Sequence, residues 1–147
     1  MDNLKKALQQ YEIAKHLMTV TYPLIKDPKL LPTINANLKN AVDHALMTLP
    51  KPTPIDTNVL PILQKYNIPS EFSQLITELN EIKKLQQKSP VEFSRKDNYI
   101  LASREFKLKA VSPQETKKNL LLTKQFLDWV SHEKFAESVS SQLKGKA

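Results

Sequence analysis

A chain of 147 residues suits one domain that buries roughly two-thirds of its unfolded surface, and its 40% hydrophobic content supplies the apolar residues such a core needs. Its only glycine is Gly145 and it has no cysteine, which argues against glycine-dependent phosphate loops, dinucleotide turns and nucleophile elbows, and excludes disulfides, thiolate–zinc sites and thiol catalysis. Twenty-two Lys and Arg against fifteen Asp and Glu give a net charge of +7, a balance that favours polyanionic partners.

The N-terminus has no apolar stretch of signal-peptide length, and no run approaches ~18 consecutive apolar residues, so the expectation is a cytoplasmic protein with no membrane partner. Asp2 or Asn3 can cap a first helix over 3–22. Along it Leu4, Leu8, Tyr11, Ala14, Met18 and Tyr22 recur at helical spacing, while Ile13, Leu17 and Val20 form a second stripe on nearly the opposite side. A helix apolar on two sides is central in its fold or shared with a partner. Ile13, Leu17 and Val20 are therefore the candidate interface with a second copy or another protein.

Pro23, Pro28 and Pro32 punctuate the next stretch and predict a turn there. A second helix carries Leu31, Ile34, Leu38, Ala41, Val42, Ala45 and Leu49, and the prolines at 50, 52 and 54 end it. A short helical piece is expected over Asp56–Tyr66. Ile68-Pro69-Ser70 leads into a third main helix, whose Phe72, Leu75, Ile76, Leu79, Ile82 and Leu85 step by three and four. Residues 98–111 change to period two on both sides of Arg104-Glu105, which predicts a β-hairpin. Ser112-Pro113-Gln114-Glu115 then reads as the capped start of a fourth helix. That helix should break or bend near His132 and fray from about 141.

The predicted architecture is mainly α, a single domain over 1–147. It is an antiparallel four-helix bundle with a short β-hairpin inserted before the last main helix. Leu8, Tyr11, Met18, Ile34, Leu38, Ala45, Leu75, Leu79, Ile82, Leu122, Phe126 and Trp129 are its expected core.

Residues 91–147 carry eleven basic and seven acidic side chains, supplying four of the seven net positive charges. Arg95, Lys96, Arg104, Lys107, Lys109, Lys117 and Lys118 are the candidate nucleic-acid-binding set, with Lys124 nearby. On a hairpin, Lys107 and Lys109 would project outward while Phe106, Leu108 and Ala110 dock on the helices. Such a lysine ridge binds phosphates without reading sequence. Phe93 and Tyr99 read as core or staple residues, with base stacking as their other use. His16, His44 and His132 show no metal-ligand spacing, so no metal and no cofactor is expected.

Lys39-Asn40-Ala41-Val42-Asp43-His44 resembles the Arg-Asn-x-x-x-His motif of HEPN-family ribonucleases, with Lys39 at the arginine position. The resemblance implies a metal-independent nuclease in which Lys39, Asn40 and His44 act on a scissile phosphate at a dimer cleft. Read from the helix alone, Lys39 and Asp43 make a surface ion pair beside an exposed His44. A second resemblance spans most of the chain. Ala14–Met18 leading to Thr21–Lys26, then Lys29-Leu30-Leu31, Lys88–Phe93, Tyr99–Ser103 and the helix after Ser112 look like a set of uncharacterised small helical proteins of archaeal type. It implies a fold and an archaeal cytoplasmic source, and no catalytic residue. Together these features read as a non-enzymatic helical binding protein that contacts RNA or another polyanion through a basic hairpin. The alternatives are the HEPN-like ribonuclease and a structural dimerisation partner.

Overall fold

The computed structural model describes residues 2–49, 68–89, 91–103 and 107–145, with side chains described through 132. The expected end of the second helix at Pro50–Pro54, the piece over Asp56–Tyr66, Arg104, Glu105 and Phe106 lie outside the described residues.

Helix α1 (Asn3–His16) starts where Asp2 accepts a hydrogen bond from the Leu4 N–H on Oδ1 at 3.1 Å. It runs without a break into a π-helical turn, Leu17–Thr21, and then α2 (Tyr22–Ile25). Pro23 does not stop the helix, which runs three residues past its expected end at 22, and the turn expected between Pro23 and Pro32 follows. Pro23 has no N–H, and in regular α geometry its ring would press on the carbonyl four residues earlier. The wider π turn, in which the Tyr22 N–H reaches back to Leu17 O, lets the helix pass the proline. The chain turns at Lys26, whose left-handed backbone (φ 54, ψ 34) brings its N–H to Tyr22 O at 2.7 Å.

Helix α3 (Leu30–Leu46) carries Pro32 in its first turn, where no intrahelical donor is lost. It packs against α1, α4 (Ser70–Lys88) and α5 (Pro113–Gly145) and so lies at the centre of the helical layer. On α1 the inward face is Ala7, Tyr11, Ala14 and Met18. Leu8, expected in the core, is 38% exposed, and the small Ala7 replaces it because it lets α1 approach α3 closely. Leu122 and Trp129 are half-buried at the edge of the core, whereas Phe126 is fully buried. Phe72, Phe126 and Trp129 form an aromatic cluster joining α4 to α5, with centroids 5.5–6.2 Å apart.

The seam between α3 and α5 is polar. Asn35 donates to Leu31 O at 2.9 Å and to Thr116 Oγ1 at 3.0 Å, and Asn119 donates to Asn35 Oδ1 at 2.9 Å. Thr116 and Thr123 donate in turn to the carbonyls of Ser112 and Asn119. All four of these side chains are buried, and satisfied hydrogen bonds offset their desolvation.

Before α5 stands a three-stranded antiparallel sheet in the order β1 (Val91–Arg95), β2 (Asn98–Ala102), β3 (Leu108–Val111). The expected hairpin is thus present as β2–β3, and β1 adds a second one. Helix α5 begins as expected, with the Glu115 N–H on Ser112 Oγ at 3.1 Å. It stays helical through His132 to Gly145, without a break.

Candidate interaction surface on the sheet

Pairing of Tyr99 with Val111, and of Leu101 with Lys109, puts these four on one face together with Glu92 and Ser94 of β1. Tyr99, Leu101 and Val111 join the main core, so this is the inner face, packed over α3 and α4. Tyr99 donates its hydroxyl to Glu92 Oε2 at 3.0 Å. Burial raises the Tyr99 pKa above 10.0, and the Glu92 carboxylate raises it further.

Lys109 shares this inner face, which reverses the expected orientation of β3. Its ammonium meets Glu78 Oε1 of α4 at 2.7 Å. Burial works against the Lys109 charge, but Glu78, with Glu81 and Glu115 beyond it, outweighs that effect and raises its pKa above 10.5. Leu108 and Ala110 therefore face outward. The physical reason lies in β2: Tyr99 and Leu101 put more apolar area on the inner face than Ile100 does on the outer. Register then carries Lys109 inward, where Glu78 receives it.

The outer face consists of Val91, Phe93 and Arg95 on β1, Asn98, Ile100 and Ala102 on β2, and Leu108 and Ala110 on β3. Val91 is 54%, Phe93 40% and Leu108 65% exposed. Ile100, on the same face, is buried yet stands outside the main core. The β1–β2 connection is the two-residue turn Lys96-Asp97, with Lys96 at φ 55. At the other end of the sheet the Ser103 N–H donates to Lys107 O at 2.9 Å and the Lys107 N–H to Ser103 Oγ at 3.1 Å, holding the β2–β3 connection closed.

The candidate basic residues are thus divided. Arg95 and Lys96 are exposed at one end of the sheet and Lys107 at the other. Lys117 and Lys118 are exposed on the first turns of α5, Lys109 is engaged by Glu78, and Arg104 lies outside the described residues. No ridge pairs Lys107 with Lys109. Sequence reasoning missed Val91 as a surface residue and β1 as a strand, although Val91-Glu92-Phe93-Ser94 already alternates apolar with polar.

The six-residue HEPN-like stretch falls on α3. Lys39 and Asp43 form their ion pair, with Nζ 2.9 and 2.8 Å from the two carboxylate oxygens, but both residues are buried rather than at the surface. Packing of α3 on three sides accounts for the difference. Asn40 is exposed. His44 is half-buried, its Nδ1 shielded from solvent and without a hydrogen-bond partner among the described residues. Lys39 and His44 consequently do not converge on an open cleft.

On the first helix, Ile13 and Val20 are each 46% exposed and Leu17 is half-buried against the core. Leu24 and Ile25 continue the exposed apolar surface, at 81% and 60%. Among the described residues no helix is long and apolar enough to cross a membrane, and no group of three or more His, Asp or Glu stands in metal-holding proximity. Comparison of the chain with protein-family models, with curated proteins and with solved structures finds no match.

Proposed function

We propose that the chain is a non-enzymatic helical binding protein that contacts single-stranded RNA through the outer face and turns of its sheet. In this proposal the four long helices act as an antiparallel bundle that holds the sheet rigid. The observation that carries the proposal is Phe93, an exposed aromatic ring on the same strand face as Arg95 and next to the Lys96 turn. An exposed ring supplies a stacking platform that any base can use, and neighbouring cations hold the backbone phosphates. Lys107 at the far end of the sheet supplies a second phosphate contact. Five residues of strand separate the two ends by roughly 16 Å, the span of two to three extended nucleotides. The net charge of +7 favours encounter with such a strand.

The test is a fluorescence titration of the protein into labelled single-stranded RNA at low and moderate salt, followed by a check of strand integrity. Salt-weakened binding is expected, with Phe93→Ala losing about 1–3 kcal/mol of affinity, roughly 5- to 150-fold. Arg95→Glu should weaken binding and flatten its salt dependence. Binding unchanged in both variants would overturn the proposal. Cleavage that survives chelator and disappears in His44→Ala would replace it with the ribonuclease. No RNA contact, with self-association lost in Leu17→Asp, would replace it with the dimerisation partner.

A further inference from the structure

The outer edge of β1 carries main-chain groups that no strand meets, because among the described residues the sheet ends there. All five residues of β1 are exposed, on both sheet faces, whereas β2 and β3 pack over α3 and α4. The helices thus leave β1 uncovered and its edge open to approach. The strand contains no proline and its pairing with β2 has no bulge, so nothing in its backbone blocks a further strand.

Which groups face that edge follows from both ends of the β1–β2 hairpin. Ser89 Oγ bridges Val91 O, at 2.6 Å, and the Ala102 N–H, at 3.1 Å, so the main chain of Val91 faces β2. Arg95 pairs with Asn98 across the two-residue turn, the position at which facing residues bond each other. Val91, Phe93 and Arg95 therefore spend their N–H and C=O groups on β2. Those of Glu92 and Ser94 point outward along the sheet.

We propose that β1 pairs antiparallel with β1 of a second copy of this chain, about a two-fold axis at Phe93. An axis at Glu92 would set Glu92 directly against Glu92, like charge on like. An axis at Ser94 would call for Lys96 as the partner of Glu92, and Lys96 has left the strand at φ 55. With the axis at Phe93, Glu92 of each copy meets Ser94 of the other, and every open group of both strands finds a partner. Phe93 then faces Phe93 at the closely spaced, non-bonded position, where an aromatic pair is favourable. No like charges stand opposite each other, and the outer faces of the two sheets become one surface. Two strands this short make a modest interface, so the dimer is a reversible one in the micromolar range.

The pairing stands apart from RNA binding and is tested without RNA, by sedimentation of the full chain from micromolar to millimolar concentration. Reversible dimers are expected. The Glu92 and Ser94 amides should exchange more slowly with solvent as concentration rises, while that of Phe93, already bonded to β2, should change far less. Ser94→Pro removes an outward N–H and leaves the bonds to β2 intact, so it should yield a folded monomer. Ser94→Glu sets carboxylates against Glu92 and should weaken association roughly two- to thirtyfold, and Ser94→Lys should tighten it by a similar factor. Overall charge repulsion gives the reverse order, because Glu lowers and Lys raises the net +7 of each copy. A monomer at every concentration, dimers kept in Ser94→Pro, or dimers lost instead in Ile13→Asp on α1 would each overturn the proposal.

Discussion

Lys26 and Lys96 do what glycine does in most proteins. Both hold positive φ, 54 and 55, one at the end of α2 and one in the β1–β2 turn. A side chain with a Cβ in that region costs about 1–2 kcal/mol, and the chain has no glycine before Gly145 to relieve it. Lys26→Gly or Lys96→Gly should remove that strain, partly offset by a more flexible unfolded chain. A net gain of about 0.5–1 kcal/mol is expected for each, read as a higher urea midpoint. Lys→Ala at the same positions should give no such gain. At Lys39 the lesson is different. A lysine and an aspartate four apart on a helix look like surface decoration until the helix proves central, and here the pair is buried.

Helices and sheet differ in how much they owe to local sequence. Phe126→Ala should cost about 3–5 kcal/mol, because its ring is fully buried between Phe72 and Trp129. Trp129→Ala should cost less, since that ring keeps one side in water. Equal losses in urea unfolding would mean that Trp129 carries as much of the packing as Phe126. The apolar stripes of α3 and α4 and the Ser112 cap of α5 were legible because periodicity and capping are local. The passage through Pro23 was not, because a π turn leaves no compositional trace. The sheet was half legible. Period two over 98–111 announced strands with two faces, but Leu108 and Lys109 carry no information about which faces inward. That was decided by Tyr99 and Leu101 in the next strand and by Glu78 thirty residues away. The same inversion moved the candidate surface from a row of lysines to an apolar face with cations at its ends.

At the scale of the molecule, Tyr11, Tyr22, Tyr99 and Lys109 all have pKa values raised by folding; burial is the leading cause for the tyrosines, and Glu78 prevails over burial for Lys109. The folded chain therefore holds these protons longer than the unfolded one. Their contribution is complete below pH 10.0, the ordinary tyrosine value, and is lost as the pH climbs through the raised values. Melting temperature should accordingly fall as the pH passes beyond 10.5, the ordinary lysine value, and Tyr99→Phe should make the fall shallower. A flat profile across that interval would show that folding leaves these groups unperturbed. The polar seam acts on a different population of molecules. Asn35 and Asn119 are 84 residues apart in sequence, and only one alignment of α3 with α5 brings them together. A collapsed chain with α5 slipped by a turn buries just as much leucine but leaves amide groups without partners, at about 1–3 kcal/mol each. The seam thus adds little to the stability of the finished fold compared with the leucines around it. Its consequence is selective, in that it raises the energy of compact wrong answers and leaves a folding chain one register in which to stop.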